Sequence, residues 1–186
     1  MALGEQGPVF VKDMSYYVVP RILDDEAFSR RVTNCFLIRN PLASILSYHK
    51  LDPDLTSEEI GIEAQWHHFT GLTEMTGKAP VVLASEDVQA DARTVIGKFW
   101  DEIGLAPNAS AFEWQSQTPD DWEQVNAWHG DVSSSRSIRP IDDEETARKA
   151  REFETRAAQH PRLRELLKHH EPYYRKLAAR ALKTAD

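Results

Sequence analysis

The chain has 186 residues, 41% hydrophobic and 28% charged, with a net charge of −8. That size suits one domain with enough apolar content for a core. The acidic balance argues against broad electrostatic binding of nucleic acid or an anionic membrane, and leaves room only for a small, local anion pocket.

The single cysteine, Cys35, allows no disulfide within one chain, so a reducing, cytoplasmic setting is expected. The first residues, MALGEQGPVF, lack the basic start and long apolar region of a signal peptide. No apolar run is long enough to span a bilayer.

In chain order, residues 8–12 (PVFVK) read as a short buried strand. Residues 24–31 (DDEAFSRR) start acidic and end basic, which suits a short helix. Residues 33–39 (TNCFLIR) are a second buried strand, apolar without strict alternation, as in parallel sheets covered on both faces. A helix is expected from Pro41. Another is expected over 57–76, with Ser57 as N-cap and an apolar face of Ile60, Ala64, Phe69 and Leu72. Residues 80–85 (PVVLAS) are a third strand, and 89–103 a helix stopped by Gly104. This alternation predicts an open α/β core over residues 8–105. Residues 106–140, rich in Trp, Ser, Pro and Asp, read as a long loop region with a helical turn or two. Residues 141–183 read as C-terminal helices, broken near His160-Pro161 and again near Glu171-Pro172.

The stretch FLIRNPLASILSYHK, residues 36–50, carries the strongest functional signal. The strand ends at Arg39, Asn40 supplies an N-cap, and Pro41 takes the first helical position, where its missing N–H costs nothing. At about 100° per residue, Asn40, Ser44 and Ser47 share one helix face, with Ala43 at its edge. Leu42, Ile45, Leu46 and His49 share the other. Arg39 therefore stands at the carboxyl end of a strand, where open α/β sheets bind ligands. A guanidinium beside hydroxyls suits a phosphate. An arginine that caps carbonyls or pairs with an acid, beside serines on a solvated helix face, explains the same pattern without a ligand.

RNPLASILSYHK resembles the 3′-phosphate-binding segment of the sulfotransferases that use 3′-phosphoadenosine 5′-phosphosulfate. Arg39, Ser47 and the adjacent Tyr48 match that pattern. PVFVKDM resembles the preceding strand of the family, whose lysine lies near the transferred sulfuryl group. PVVLASEDVQADARTVIGKFWDEIGL resembles a later strand, acidic turn and helix. WHGDVSSSRSI resembles a segment of bacterial members, and HPRLRELLKHHEPYYRKL resembles their C-terminal helix. The resemblance covers most of residues 8–178. It implies a single domain over 1–186 with an incomplete, P-loop-NTPase-like three-layer parallel sheet. It further implies sulfuryl transfer from the phosphosulfate cosubstrate to a hydroxyl or amine of a small acceptor, with no metal. Arg39 and Ser47 would hold the 3′-phosphate, and Lys12 would stabilise charge on the transferring group.

The family's Pro-x-Ser-Gly-Thr-like loop, which holds the 5′-phosphosulfate at a helix N-terminus, has no counterpart before Val9. The expectation is therefore a truncated or derived chain with weak or no turnover. A missing central strand would leave apolar edges that a partner chain, a homodimer or a swapped segment would cover. The histidine base two positions after the family lysine is replaced by Met14. Asp13 is then either the base or a structural hydrogen-bond acceptor. The family's closing Gly-x-x-Gly-x-x-Lys segment is also missing. Arg136 or Arg139 would reach the nucleotide phosphate in its place, or else remain a solvated loop arginine. A chain that keeps nucleotide or partner binding without catalysis is the alternative. A P-loop kinase relative would need a Gly-Lys-Ser/Thr motif that the sequence lacks.

The pairs His67-His68 and His169-His170 lack the i, i+4 spacing of a helical metal site. Glu86-Asp87 is expected to cap the helix after its strand; holding a nucleotide-facing turn is the alternative. Trp114, Trp122 and Trp128 either stack a base or line an acceptor pocket, or pin the loop to the core.

Overall fold

A computed structural model describes residues 9–114 and 135–183. Helices α1 (Ser15–Asp24) and α2 (Glu26–Ser29) precede strand β1 (Cys35–Ile38). Helices α3 (Pro41–Leu51), α4 (Ser57–Ile60) and α5 (Ile62–Thr76) lead to strand β2 (Val81–Ala84). Helices α6 (Ser85–Ala90) and α7 (Ala92–Ile103) and a 3₁₀ turn (Ala109–Phe112) follow. Helices α8 (Asp143–Gln159) and α9 (Arg162–Ala178) close the described chain. The fold is mixed α/β and mostly helical, with a two-stranded parallel sheet among the described residues. No described helix is long and apolar enough to cross a membrane.

The two strands pair in parallel from Cys35↔Val81 to Ile38↔Ala84. Parallel pairing needs a long crossover, here α3 to α5. All four residues of β2 are buried, with α6, α7 and α9 packed on it. The far edge of β2 is extended by Ala181, which bridges Val82, and by the Leu182 N–H, which donates to the Val82 carbonyl at 2.9 Å. β1 has no second strand beside it among the described residues. There the Leu37 carbonyl accepts from Gln65 Nε2 at 3.1 Å, and the Leu37 side chain is exposed.

Over residues 9–12, the described part of the strand expected over 8–12, no strand forms. Val9, Phe10 and Val11 lie outside any element and are exposed. Strand preference is a preference for a pleated, half-buried surface, and without a ladder partner the apolar run has none. The chain becomes regular at Ser15, in a helix the sequence reading did not expect. α1 packs on α5, and a Cβ added at Gly71 would stand 2.7 Å from Leu23 Cδ1. That close approach accounts for a glycine inside α5.

The helix expected over 57–76 is two helices. Its cap is Thr56, not Ser57: Thr56 and Glu59 form a reciprocal capping box. Gly61 then adopts φ 73°, a left-handed conformation that ends α4 and opens α5. The short helix expected over 24–31 is confined to Glu26–Ser29. The break expected at His160-Pro161 is present, but the one at Pro172 is not: α9 runs through it. An interior proline costs about 3 kcal/mol or more. Here burial of Leu163, Leu166, His170 and Leu177 along α9 outweighs that cost.

Candidate functional site

The two strands end in register, Ile38 opposite Ala84. Arg39-Asn40 and Ser85-Glu86 therefore leave the sheet side by side. Asn40 caps α3 as its residue type predicts: Oδ1 accepts from the Leu42 N–H at 2.9 Å, and Pro41 occupies the first turn. Pro41, Ile45, Leu46 and His49 are buried and Ser44 and Ser47 half-buried, so the two faces read from the sequence are the faces found.

Arg39 is exposed, and among the described residues its guanidinium makes no hydrogen bond or ion pair. Ser44 and Ser47 hydroxyls likewise have no partner among the described residues. Ser47 lies about 10 Å along the helix axis from Asn40, so an anion bridging it to Arg39 needs the guanidinium folded back over α3.

Glu86 does not form the helix cap that the sequence reading favoured. It lies in the first turn of α6, but its carboxylate crosses to the β1–α3 turn instead of closing a cap. Oε1 accepts from the Asn40 N–H at 2.8 Å, and Oε2 accepts from the Tyr174 hydroxyl at 3.3 Å. Burial, with Glu86 adding to it, pushes the Tyr174 phenol up to about 12, so it is a donor at neutral pH. A cleft of about 190 Å³ opens beside this junction, lined by Asn40, Pro41, Leu42, Leu167, Tyr174 and the Glu171–Arg175 pair. Glu171 and Arg175 bridge at 2.7 Å on its rim. Ser85 Oγ is buried without a partner among the described residues.

The other residues singled out in the sequence lie elsewhere. Lys12 is exposed in the irregular segment before α1. Asp13 is exposed, and its Oδ1 accepts from the Met14 N–H at 2.7 Å, a local bond at the start of α1. Arg136 is exposed and its carbonyl accepts from the Trp114 N–H at 3.1 Å. Arg139 is tied to Glu145 at 3.4 Å. Arg39 thus immediately precedes the N-cap of the helix that carries Ser47. Among the described residues the structure provides no hydrogen bond or ion pair linking them to Lys12, Asp13 or Arg136. Trp122, Trp128 and most of the WHGDVSSSRSI segment lie outside the described residues. Trp114 is partly exposed. Burial raises the Cys35 thiol above its ordinary value, away from thiolate chemistry.

A second polar cluster joins α9 to α5 and α4. Glu63 accepts from the Tyr173 hydroxyl at 2.8 Å, meets His169 Nε2 at 2.8 Å, and lies 3.7 Å from His67. The His169 hydrogen bond is the largest influence holding Glu63 below the ordinary carboxylate range. His170 Nε2 lies 3.0 Å from Ser57 Oγ. Among the described residues no group of His, Cys, Asp and Glu is arranged to hold a metal ion. Adjacent tyrosines of α9 thus reach two carboxylates, Tyr173 to Glu63 and Tyr174 to Glu86. Neither contact was found from sequence: the Pro-Tyr-Tyr sequence marks the place, but the partners are 110 and 88 residues away.

Comparison with protein-family models, with curated proteins and with solved structures finds no significant match.

Proposed function

We propose that this chain carries the 3′-phosphate end of a nucleotide site, in an incomplete, three-layer, sulfotransferase-like fold. The observation that supports this reading most is Arg39: an exposed guanidinium, unpaired among the described residues, at the carboxyl end of a parallel strand, on a turn held by an N-cap and a carboxylate. In the full reaction an acceptor oxygen or nitrogen attacks the sulfur of 3′-phosphoadenosine 5′-phosphosulfate. The bond from sulfur to the bridging phosphate oxygen breaks, and adenosine 3′,5′-bisphosphate leaves. Arg39 and Ser47 hold the 3′-phosphate, Arg136 adds charge from the loop region, and Lys12 balances charge on the sulfuryl group. Asp13 takes the acceptor proton.

One observation favours a second reading, binding without turnover. Lys12 and Asp13 sit in an exposed, irregular segment, and Asp13 is engaged in a local backbone bond. Catalytic groups must be held close to productive geometry to contribute to rate. A partner chain that orders this segment would separate the two readings.

The test is equilibrium binding of adenosine 3′,5′-bisphosphate to the wild-type chain and to Arg39→Ala. A charge-assisted arginine–phosphate contact of roughly 1.5–3 kcal/mol predicts a loss of about tenfold or more. Equal affinity in the two folded chains overturns the reading.

A further inference from the structure

We propose that Glu86 is a positioning residue of this anion site, holding in place the β1–α3 turn from which Arg39 projects. The inference rests on the reading of Arg39 given above. It is carried by the geometry of one carboxylate that joins three elements.

Glu86 stands on α6, takes the Asn40 N–H of the β1–α3 turn at 2.8 Å, and takes the Tyr174 hydroxyl of α9 at 3.3 Å. Asn40 directly follows Arg39, so this bond fixes the direction in which the arginine leaves the strand. Here the two carboxylate oxygens accept from donors on two other elements, and Arg39 makes no ion pair among the described residues. Tyr174 supplies the second tether, which orients the carboxylate from α9. An acid beside an anion site weakens binding through charge and strengthens it through geometry. The two contributions have opposite signs and can be separated.

Calorimetry with adenosine 3′,5′-bisphosphate on folded wild type, Glu86→Ala and Glu86→Gln separates them. Both variants remove the charge, and only alanine removes the acceptor. Positioning predicts that Glu86→Ala binds about tenfold more weakly, while Glu86→Gln binds as well as wild type or better. Tighter binding by both variants, equal binding by all three chains, or equal weakening in both variants overturns the proposal. Should Glu86→Ala not fold, Tyr174→Phe replaces it. The Glu86 carboxylate then loses its second tether, the turn loosens, and affinity falls by roughly threefold; unchanged affinity overturns the proposal. If wild type itself does not bind the nucleotide, the reading of Arg39 fails by that result alone. The hold of Glu86 on the β1–α3 turn is then decided separately, in the ligand-free protein, by amide exchange at Asn40. Protection in wild type and Glu86→Gln with its loss in Glu86→Ala upholds it, and equal protection overturns it.

Discussion

His170 makes the stability of this fold depend on pH. It lies on α9, is 1% exposed, and is pushed down to about 4, first by burial and then by the neighbouring His169. Its Nε2 faces Ser57 Oγ, its Nδ1 is buried without a partner among the described residues, and Glu63 is the nearby acid that acts in the opposite direction. An unfolded histidine titrates near 6.5. Between those values the unfolded chain binds a proton that the folded chain refuses, so stability falls as pH falls. A difference of about 2.5 pH units corresponds to about 3 kcal/mol, of which about 2 kcal/mol is gone by pH 5. Urea unfolding followed by circular dichroism at pH 7, 6 and 5 measures it. His49 and His68 are lowered too, mainly by burial, and add to the wild-type decline. The comparison with His170→Gln therefore isolates the one residue. Glutamine keeps an amide for Ser57 but does not titrate. The variant is expected to be less stable at pH 7 and to lose about 2 kcal/mol less than wild type on going to pH 5. Parallel declines in the two chains would refute the reasoning.

Phe153→Ala empties a fully buried position on α8 and should cost about 3–5 kcal/mol by chemical denaturation; a loss under about 1 kcal/mol would mean that α8 is not docked as described. Gly104→Ala places a side chain at φ 75° with open space around it, so the cost is backbone strain alone, about 1 kcal/mol and a fall in Tm of about 2–4 °C. An unchanged Tm would place the left-handed C-cap of α7 in error. With labelled phosphosulfate donor and a panel of small hydroxyl and amine acceptors, the 186-residue chain should show weak or no transfer; robust turnover abolished by Arg39→Ala would contradict the placement of Lys12 and Asp13.

The β1–α3 seam was legible because everything that makes it is local. An apolar run, an Asn cap, a Pro in the first turn and a two-faced helix all lie within residues 36–50. Gly104 was legible for the same reason. The apolar segment from Val9 to Val11 misled because a strand exists only beside another strand, and nothing in its own residues reports whether one is present. α1 was missed because Pro20 and the β-branched Val18 and Val19 speak against a helix, while its support comes from α5. Pro172 misled in the opposite direction, since packing along α9 outweighs a local penalty. Glu86 was noticed, but a helix cap was favoured over the turn-holding role that the structure shows. Choosing between them required knowing that β1 and β2 end in register, 46 residues apart in the chain.

The account stands most directly on the claim that Arg39 recognises a 3′-phosphate. Titration of the wild-type chain with adenosine 3′,5′-bisphosphate and, separately, with adenosine 5′-monophosphate tests it, because the two ligands differ only in that group. The account predicts at least about tenfold tighter binding of the bisphosphate, with the preference lost in Arg39→Ala. Equal affinity for the two nucleotides, or a preference that survives in Arg39→Ala, would contradict it.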